Sequence, residues 1–215
     1  IDKDIFCELN GIDKSEVAYI KAEMDFPEKN RPIYYAPRGK MSFKEKHNSW
    51  KAIKPYLEKL LKKYEGKKGI IHAGNYEIAE WIKADFGDNK RLIFADQTNR
   101  QLSIDTHINS KTDTILVSPS MTQGLDLCDD LSRFQIIMKM PYPSLANKVN
   151  KLRFEQKPQW YAWQTILELL QSYGRSIRNE NDHADTIIFD SCFADLINQY
   201  SYMFPDYFKN VIKQI

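Results

Sequence analysis

The sequence predicts an α/β fold: a doubly wound, mainly parallel sheet with helices on both faces. Five short apolar runs, rich in β-branched residues and bounded by turn or polar residues, are typical of buried strands. They occupy residues 70–73, 91–95, 114–117, 134–140 and 186–189. Helical stretches alternate with them, at 44–64, 75–86, 98–109, 145–155, 158–173 and 192–200. This alternation indicates parallel strands joined by crossover helices.

The first 43 residues are less regular than the rest. Residues 6–12 predict a short helix that stops at an Asn-Gly pair. Residues 31–37 predict a strand, and Pro37 either confines it to an edge of the sheet or ends it. We therefore expect a single domain over 1–215, with a leading segment at 1–43 and a core at 44–215.

Composition sets limits on the class of protein. A chain of 215 residues, 42% of them hydrophobic, can bury one large core. The net charge of +2 means that any contact with nucleic acid must come from a local patch. Three distant cysteines without a C-x-x-C pair, and four scattered histidines, predict no metal site, and the cysteines fit a reduced, intracellular, cytoplasmic protein. We expect it to be of bacterial or phage type. No apolar run approaches the roughly 20 residues of a membrane span. The start at Ile1 rather than Met predicts a piece of a longer protein.

The most informative segment is 171–178, which reads Q-x-x-G-R-x-x-R. Arg175 and Arg178 follow Gln171 and Gly174, and their spacing predicts that both lie on one side of a helical turn. Two guanidinium groups so placed suit a polyanion, because each can bind phosphate oxygens in pairs. The alternative is a surface helix with ordinary arginines.

A second segment, 118–127, leaves a predicted strand and passes small hydroxyl residues before an Asp. Hydroxyls and backbone N–H groups in such a loop can bind a phosphodiester without reading a base. Gly124 would allow a close approach of the backbone. The alternative is a strand-to-helix loop in which Ser120, Thr122 or Asp126 caps a helix.

Two motifs are absent from the sequence. It has no G-x-x-x-x-G-K-[ST] phosphate loop and no D-E-x-H or D-E-A-D tetrad. Without a phosphate cradle or a carboxylate pair for magnesium, we expect no nucleotide hydrolysis by this chain alone. Its arginines would act on a nucleotide held by another domain.

Taken together, these segments resemble the superfamily 2 helicases. Q-x-x-G-R-x-x-R resembles motif VI, the T-x-G-x-D order at 122–126 resembles motif V, and residues 69–76 resemble motif IV. A strand closed by Pro-Tyr-Pro at 141–143 and an Asp-x₇-Asp segment at 182–190 complete the likeness. It points to the second, C-terminal RecA-like domain of an XPD/DinG-like DNA helicase. Gln123 stands where that family usually has Glu, and Asn75 where it has Ser.

The resemblance implies a function and a set of residues. ATP and Mg²⁺ would be bound mainly by a first RecA-like domain, which would be the partner of this chain together with single-stranded DNA. Arg175 and Arg178 would contact the terminal phosphates, and Gln171 would orient them or link them to the DNA site. Asp126 would serve the ribose or interdomain coupling. The residues implied for the nucleotide also include Gly124 and Gly174, and those implied for the DNA are Asn75, Tyr76, Ser118, Ser120 and Thr122. An iron–sulfur cluster would not belong to this chain, and DNA repair is the expected setting.

Two other functions stay open. A non-catalytic nucleic-acid-binding module could retain the fold, although the intact Q-x-x-G-R-x-x-R argues against it. A stand-alone ligand-binding or transferase domain would need its own phosphate cradle, and the sequence has no Gly-rich loop of that kind. The aromatic residues at 160–163 could stack on bases, but packing in a helix is the better interpretation.

Overall fold

The computed structural model describes residues 2–20, 24–120 and 126–215, which form a parallel sheet of seven strands. The strands are β1 (Ile33–Tyr35), β2 (Gly69–His72), β3 (Leu92–Phe94), β4 (Ile115–Ser118), β5 (Phe134–Ile137), β6 (Asp185–Ile188) and β7 (Ile212–Gln214). Their order across the sheet is β3-β4-β2-β5-β6-β1-β7, and every pairing is parallel. The predicted fold class is therefore confirmed.

The helices begin and end at recognisable local signals. They are α1 (Lys3–Asn10), α2 (Lys46–Lys63), α3 (Tyr76–Phe86), α4 (Arg100–Asn109), α5 (Lys148–Gln156), α6 (Pro158–Tyr173), α7 (Cys192–Gln199) and α8 (Asp206–Lys209). Asn75 caps α3 by accepting the N–H of Ile78, and Pro158 occupies the first position of α6. Asp2 caps α1, and Gly11 ends it in the left-handed region at φ 64°. None of these described helices is long and apolar enough to cross a bilayer.

The two faces of the sheet carry separate cores. Consecutive strand residues point to opposite faces, so Ile136 packs in one cluster and Ile137 in the other. Helices α2 and α3 cover the first face, with Ile53 and Ile82 fully buried. Helices α6 and α7 cover the second face, where α4 also packs through Ile104. This double coverage explains why the strand sequences are continuous apolar runs rather than alternating ones.

Strand β1 lies inside the sheet, although the sequence left open that Pro37 confines it to an edge. It pairs with β6 on one side and with β7 on the other, and Pro37 follows its last residue, Tyr35. Pro37 thus ends the strand, because a proline inside it would lack an N–H for the ladder. The sheet therefore begins within the predicted leading segment of residues 1–43.

Candidate functional site

The two arginines of the Q-x-x-G-R-x-x-R segment lie beyond the end of a helix. Helix α6 ends at Tyr173, and the chain then forms an irregular stretch, residues 174–184, which we call the arginine turn. The prediction that Arg175 and Arg178 share a helical turn is wrong. The N–H of Gly174 still bonds to the carbonyl of Leu170, but downstream contacts with other segments hold the chain out of the helix.

One of these contacts joins two predicted site residues that are distant in sequence. The Arg178 Nε donates to Asp126 Oδ1 at 2.8 Å, and the two side chains are 39% and 69% exposed. The next described helical turn begins at Asp129 with Cys128 before it and no side-chain cap, so Asp126 does not cap it. An ion pair this exposed contributes about 0–1 kcal/mol, so a ligand with more negative charge can displace the carboxylate.

A buried carboxylate fixes the backbone of the arginine turn. Asp182 is 1% exposed, and its Oδ2 accepts the backbone N–H groups of Arg178 and Asp129, each at 3.2 Å. Its Oδ1 accepts from the guanidinium of Arg133 at 2.6 Å. Arg133 directly precedes β5, so Asp182 ties the turn to the amino ends of the strands. The sequence showed Asp182 only as part of the closing Asp-x₇-Asp segment and gave no sign of this role.

Two further contacts hold the turn against the second face of the sheet. The buried hydroxyls of Ser176 and Ser132 are 2.7 Å apart, and the N–H of Leu127 donates to the carbonyl of Arg175 at 3.4 Å. The segment after the T-x-G-x-D order thus packs directly on the arginine turn. Gln171 is exposed in the last turn of α6, one turn before the arginines.

The described residues among those predicted to contact nucleic acid lie at the opposite, carboxyl ends of the strands. Asn75 and Tyr76 follow β2, and Ser120 follows β4. The N–H of Ala73 donates to the carbonyl of Ser118 at 2.8 Å, which joins the ends of the two strands. Tyr76 and Ser120 are exposed, as a contact to a phosphate requires.

Two of these side chains also have structural roles. Ser118 is 2% exposed, and its hydroxyl donates to the carbonyl of Ser120 at 2.7 Å, so it supports the loop from inside. Asn75 uses its side-chain oxygen to cap α3, which leaves the amide nitrogen as the group that can donate to a phosphate. Thr122 and Gly124 lie outside the described residues.

A second buried carboxylate, Asp190, organises the carboxyl edge. Its Oδ1 accepts the N–H groups of Met41 and Cys192, and its Oδ2 accepts that of Met140. Burial, with the nearby Asp190 charge, raises the pKa of Cys192 to about 12, so this thiol stays protonated at neutral pH. Asp182 and Asp190 therefore flank β6 and fix the loops at its two ends.

A groove of about 550 Å³ adjoins Gly74 and Ser120 at this edge. Tyr142 and Trp160 line it, but Trp160 is only 5% exposed. Trp163 is 7% exposed and packs in the core of the second face, so the packing interpretation of these tryptophans is the better one. Across the described ranges, no group of three or more His, Cys, Asp or Glu side chains is placed to hold a metal ion.

A seven-stranded parallel sheet, with an arginine turn towards the amino ends of its strands and polar loops at their carboxyl ends, is typical of a RecA-like helicase domain. The profile of the helicase C-terminal domain family matches residues 56–211. The chain belongs to that family, and the predicted identity as the second RecA-like domain of an XPD/DinG-like helicase is confirmed.

Individual relatives agree with this assignment. A regulator of telomere elongation helicase 1 homolog from Caenorhabditis briggsae is 26% identical over 110 residues, which are 44% of this chain and 11% of that protein. A Fanconi anemia group J protein homolog from Gallus gallus is 28% identical over 92 residues, covering 37% of this chain and 7% of that protein. The chain thus spans about a tenth of the length of the curated relatives that it matches.

Solved structures show the same fold. Xpd4 from S. tokodaii superposes with a TM-score of 0.64 at 14% identity, covering 86% of this chain and 38% of that one. Domain 2 of the DEAD-box helicase Mss116p, solved with an RNA duplex, gives a TM-score of 0.51 at 12% identity over 85% of this chain and 62% of that one.

Proposed function

We propose that this chain is the C-terminal motor domain of an ATP-dependent DNA helicase and completes an ATP site held mainly by a first RecA-like domain. The observation that carries the proposal is the ion pair of Arg178 with Asp126. It brings the motif V and motif VI segments, 52 residues apart, into one exposed cluster. An exposed guanidinium beside a carboxylate is the group that a terminal phosphate would attract.

The arginine turn is preorganised for such a role. Asp182 bonds to its backbone and Ser176 bonds to Ser132 through buried contacts, so the turn keeps its conformation as it approaches the nucleotide. A group held in this way stabilises developing charge with little reorganisation at the moment of reaction. Arg175 and Arg178 would contact the terminal phosphates, with Mg²⁺ bound by the other domain. Gln171 would orient the arginines, and Asp126 would release Arg178 when the nucleotide arrives.

The strand-end loops provide a backbone-binding surface for single-stranded DNA. Asn75, Tyr76 and Ser120 would contact phosphates directly, Thr122 would add a hydroxyl, and Ser118 would keep the loop in shape. These groups are neutral donors at the end of a sheet rather than readers of base edges. We therefore propose binding that does not depend on sequence.

The test uses the full-length protein that carries this chain. Arg178→Ala should lower ATP turnover by about 10³-fold, the scale for removing an arginine finger. The matched control is Arg100→Ala, an exposed arginine at the start of α4, which should leave turnover unchanged. Near-normal turnover in Arg178→Ala would remove the arginine turn from the site and favour a non-catalytic binding module.

A further inference from the structure

A buried polar side chain lies in the middle of the apolar strand β5. Gln135 is 0% exposed, and its side chain points to the second face of the sheet. Its amide nitrogen donates to the carbonyl of Tyr173 at 2.9 Å and to the hydroxyl of Thr186 at 2.8 Å. Its amide oxygen is 3.4 Å from Nε2 of His72, which is also buried.

These contacts define the direction of each hydrogen bond. Both N–H groups of Gln135 have acceptors, so its oxygen accepts and His72 donates through Nε2. Burial lowers the pKa of His72 to about 4, and the charge of Arg175 acts in the same direction. The ring is therefore neutral at pH 7, with its hydrogen on Nε2.

The two ends of this chain of contacts lie next to the two proposed ligand sites in the sequence. Tyr173 is the last residue of α6 and lies two residues before Arg175. His72 is the last residue of β2 and lies three residues before Asn75. The side chains of Gln135 and His72 thus connect the start of the arginine turn with the strand-end loop across the interior of the domain.

Stability explains Gln135, whose amide satisfies the buried carbonyl of Tyr173 at the end of α6, but it does not explain the ring of His72, whose buried Nδ1 has no hydrogen-bond partner among the described residues. Well-packed apolar residues can replace a buried hydrogen-bonded pair at little cost, whereas leaving one partner unpaired is costly. The His72–Gln135 contact, at 3.4 Å, is also longer than the usual 2.9–3.0 Å; strands β2 and β5 are already paired, so a change in the loop after β2 can shorten this contact through a shift of the His72 side chain. Such a movement would change the position of Gln135 and, through it, that of the Tyr173 carbonyl.

We propose that His72 and Gln135 are positioning residues that couple nucleic-acid binding at the carboxyl edge to the placement of the arginine turn. This inference rests on the proposed function. Contact of a DNA phosphate with the loop after β2 moves His72, and Gln135 transmits the displacement to the C-terminal end of α6. Arg175 and Arg178 then reach the phosphates of the nucleotide more often when DNA is bound.

The experiment measures ATP turnover by the full-length protein with and without saturating oligo-dT. The test variant is the double substitution His72→Phe with Gln135→Met, which removes the hydrogen bonds and keeps an apolar filling. We expect the stimulation of turnover by DNA to fall by about 10-fold, within the usual range of coupling between sites. The dissociation constants for oligo-dT and for a non-hydrolysable ATP analogue, measured separately, should each change by less than about 3-fold.

Three further variants separate coupling from a general loss of packing. His72→Phe alone removes the His72–Gln135 hydrogen bond and should lose the same stimulation by DNA. This single variant keeps the test available if the double variant does not fold. His72→Gln restores an N–H near the position of Nε2 and should recover it. Thr186→Val is the matched control, because it removes one partner of Gln135 and leaves the bridge intact.

Several outcomes would overturn the inference. Full DNA stimulation in His72→Phe or in the double variant would do so, as would an equal loss in Thr186→Val. A wild-type protein whose ATP turnover does not respond to DNA would overturn the proposed function together with this coupling. A stimulated wild type with equally stimulated variants would overturn the coupling alone.

Discussion

Acidification should destabilise the fold through His72. The side chain has an ordinary pKa of 6.5 in an unfolded chain, and burial lowers the value in the folded protein to about 4. Between these two pKa values the imidazole binds a proton in the unfolded state but not in the folded state. The free energy of unfolding is therefore highest above pH 6.5 and falls as the pH drops towards 4.

The magnitude follows from the difference between the two pKa values. Each unit of difference corresponds to about 1.4 kcal/mol. Lowering the pH from 7 to 5 covers the upper part of the range between the unfolded-state pKa and the folded-state pKa of His72. The protonation of His72 alone should therefore lower the free energy of unfolding by about 2 kcal/mol. His107, whose pKa is also lowered by burial, adds a loss of the same sign.

Urea unfolding of the 215-residue chain, followed by circular dichroism at pH 7 and pH 5, measures this loss. The comparison is with His72→Phe, which retains every other titrating group, including His107. The difference in unfolding free energy between the two pH values should be smaller by about 2 kcal/mol in the variant. Equal pH dependence in the two proteins would refute the argument that His72 is held neutral in the folded core.

Three further predictions concern the turn, the isolated chain and the strand-end loop. Asp182→Ala should lower the free energy of unfolding by about 3 kcal/mol or more, because, among the described residues, the largely buried Arg133 keeps only the exposed Asp130 as a charged partner and two backbone N–H groups lose their acceptor; a loss below about 1 kcal/mol in urea titration would contradict this. The isolated chain should release no phosphate from ATP in the presence of single-stranded DNA, and turnover near that of the full-length protein would refute this. Ser120→Ala with Thr122→Val should weaken binding to poly-dT and to a mixed-sequence strand by a similar factor, with little change in salt dependence, as measured by fluorescence anisotropy. A strongly sequence-dependent loss, or no loss, would mean that the loop makes no backbone contact.

The strands and most helices could be predicted because their signals are local. Runs of β-branched residues mark buried strands, and Asn75, Pro158 and Gly11 mark helix ends. Strand β7 was missed because its three residues include Lys213 and Gln214, and two of the three are exposed. Only its pairing with β1 makes it a strand.

The candidate site was harder to predict because distant residues hold it. The three-residue spacing of Arg175 and Arg178 is compatible with a helix. The contact of Asp182 with the N–H of Arg178 nevertheless keeps the turn out of a helix. No local pattern indicates which buried carboxylate will bind which loop. Gln135 did carry a signal, since a Gln inside an apolar strand needs buried partners, but the sequence does not identify them.

In the proposed function Arg178 acts on the transition state of ATP hydrolysis, and a comparison of two nucleotide affinities tests this role. The full-length protein, wild type and Arg178→Ala, is titrated with ADP–aluminium fluoride and separately with a non-hydrolysable ATP analogue. Removing the arginine should weaken binding of the transition-state mimic by about 10³-fold and binding of the ground-state analogue by less than about 10-fold. Equal weakening of both ligands, or no weakening of the mimic, would contradict the claim.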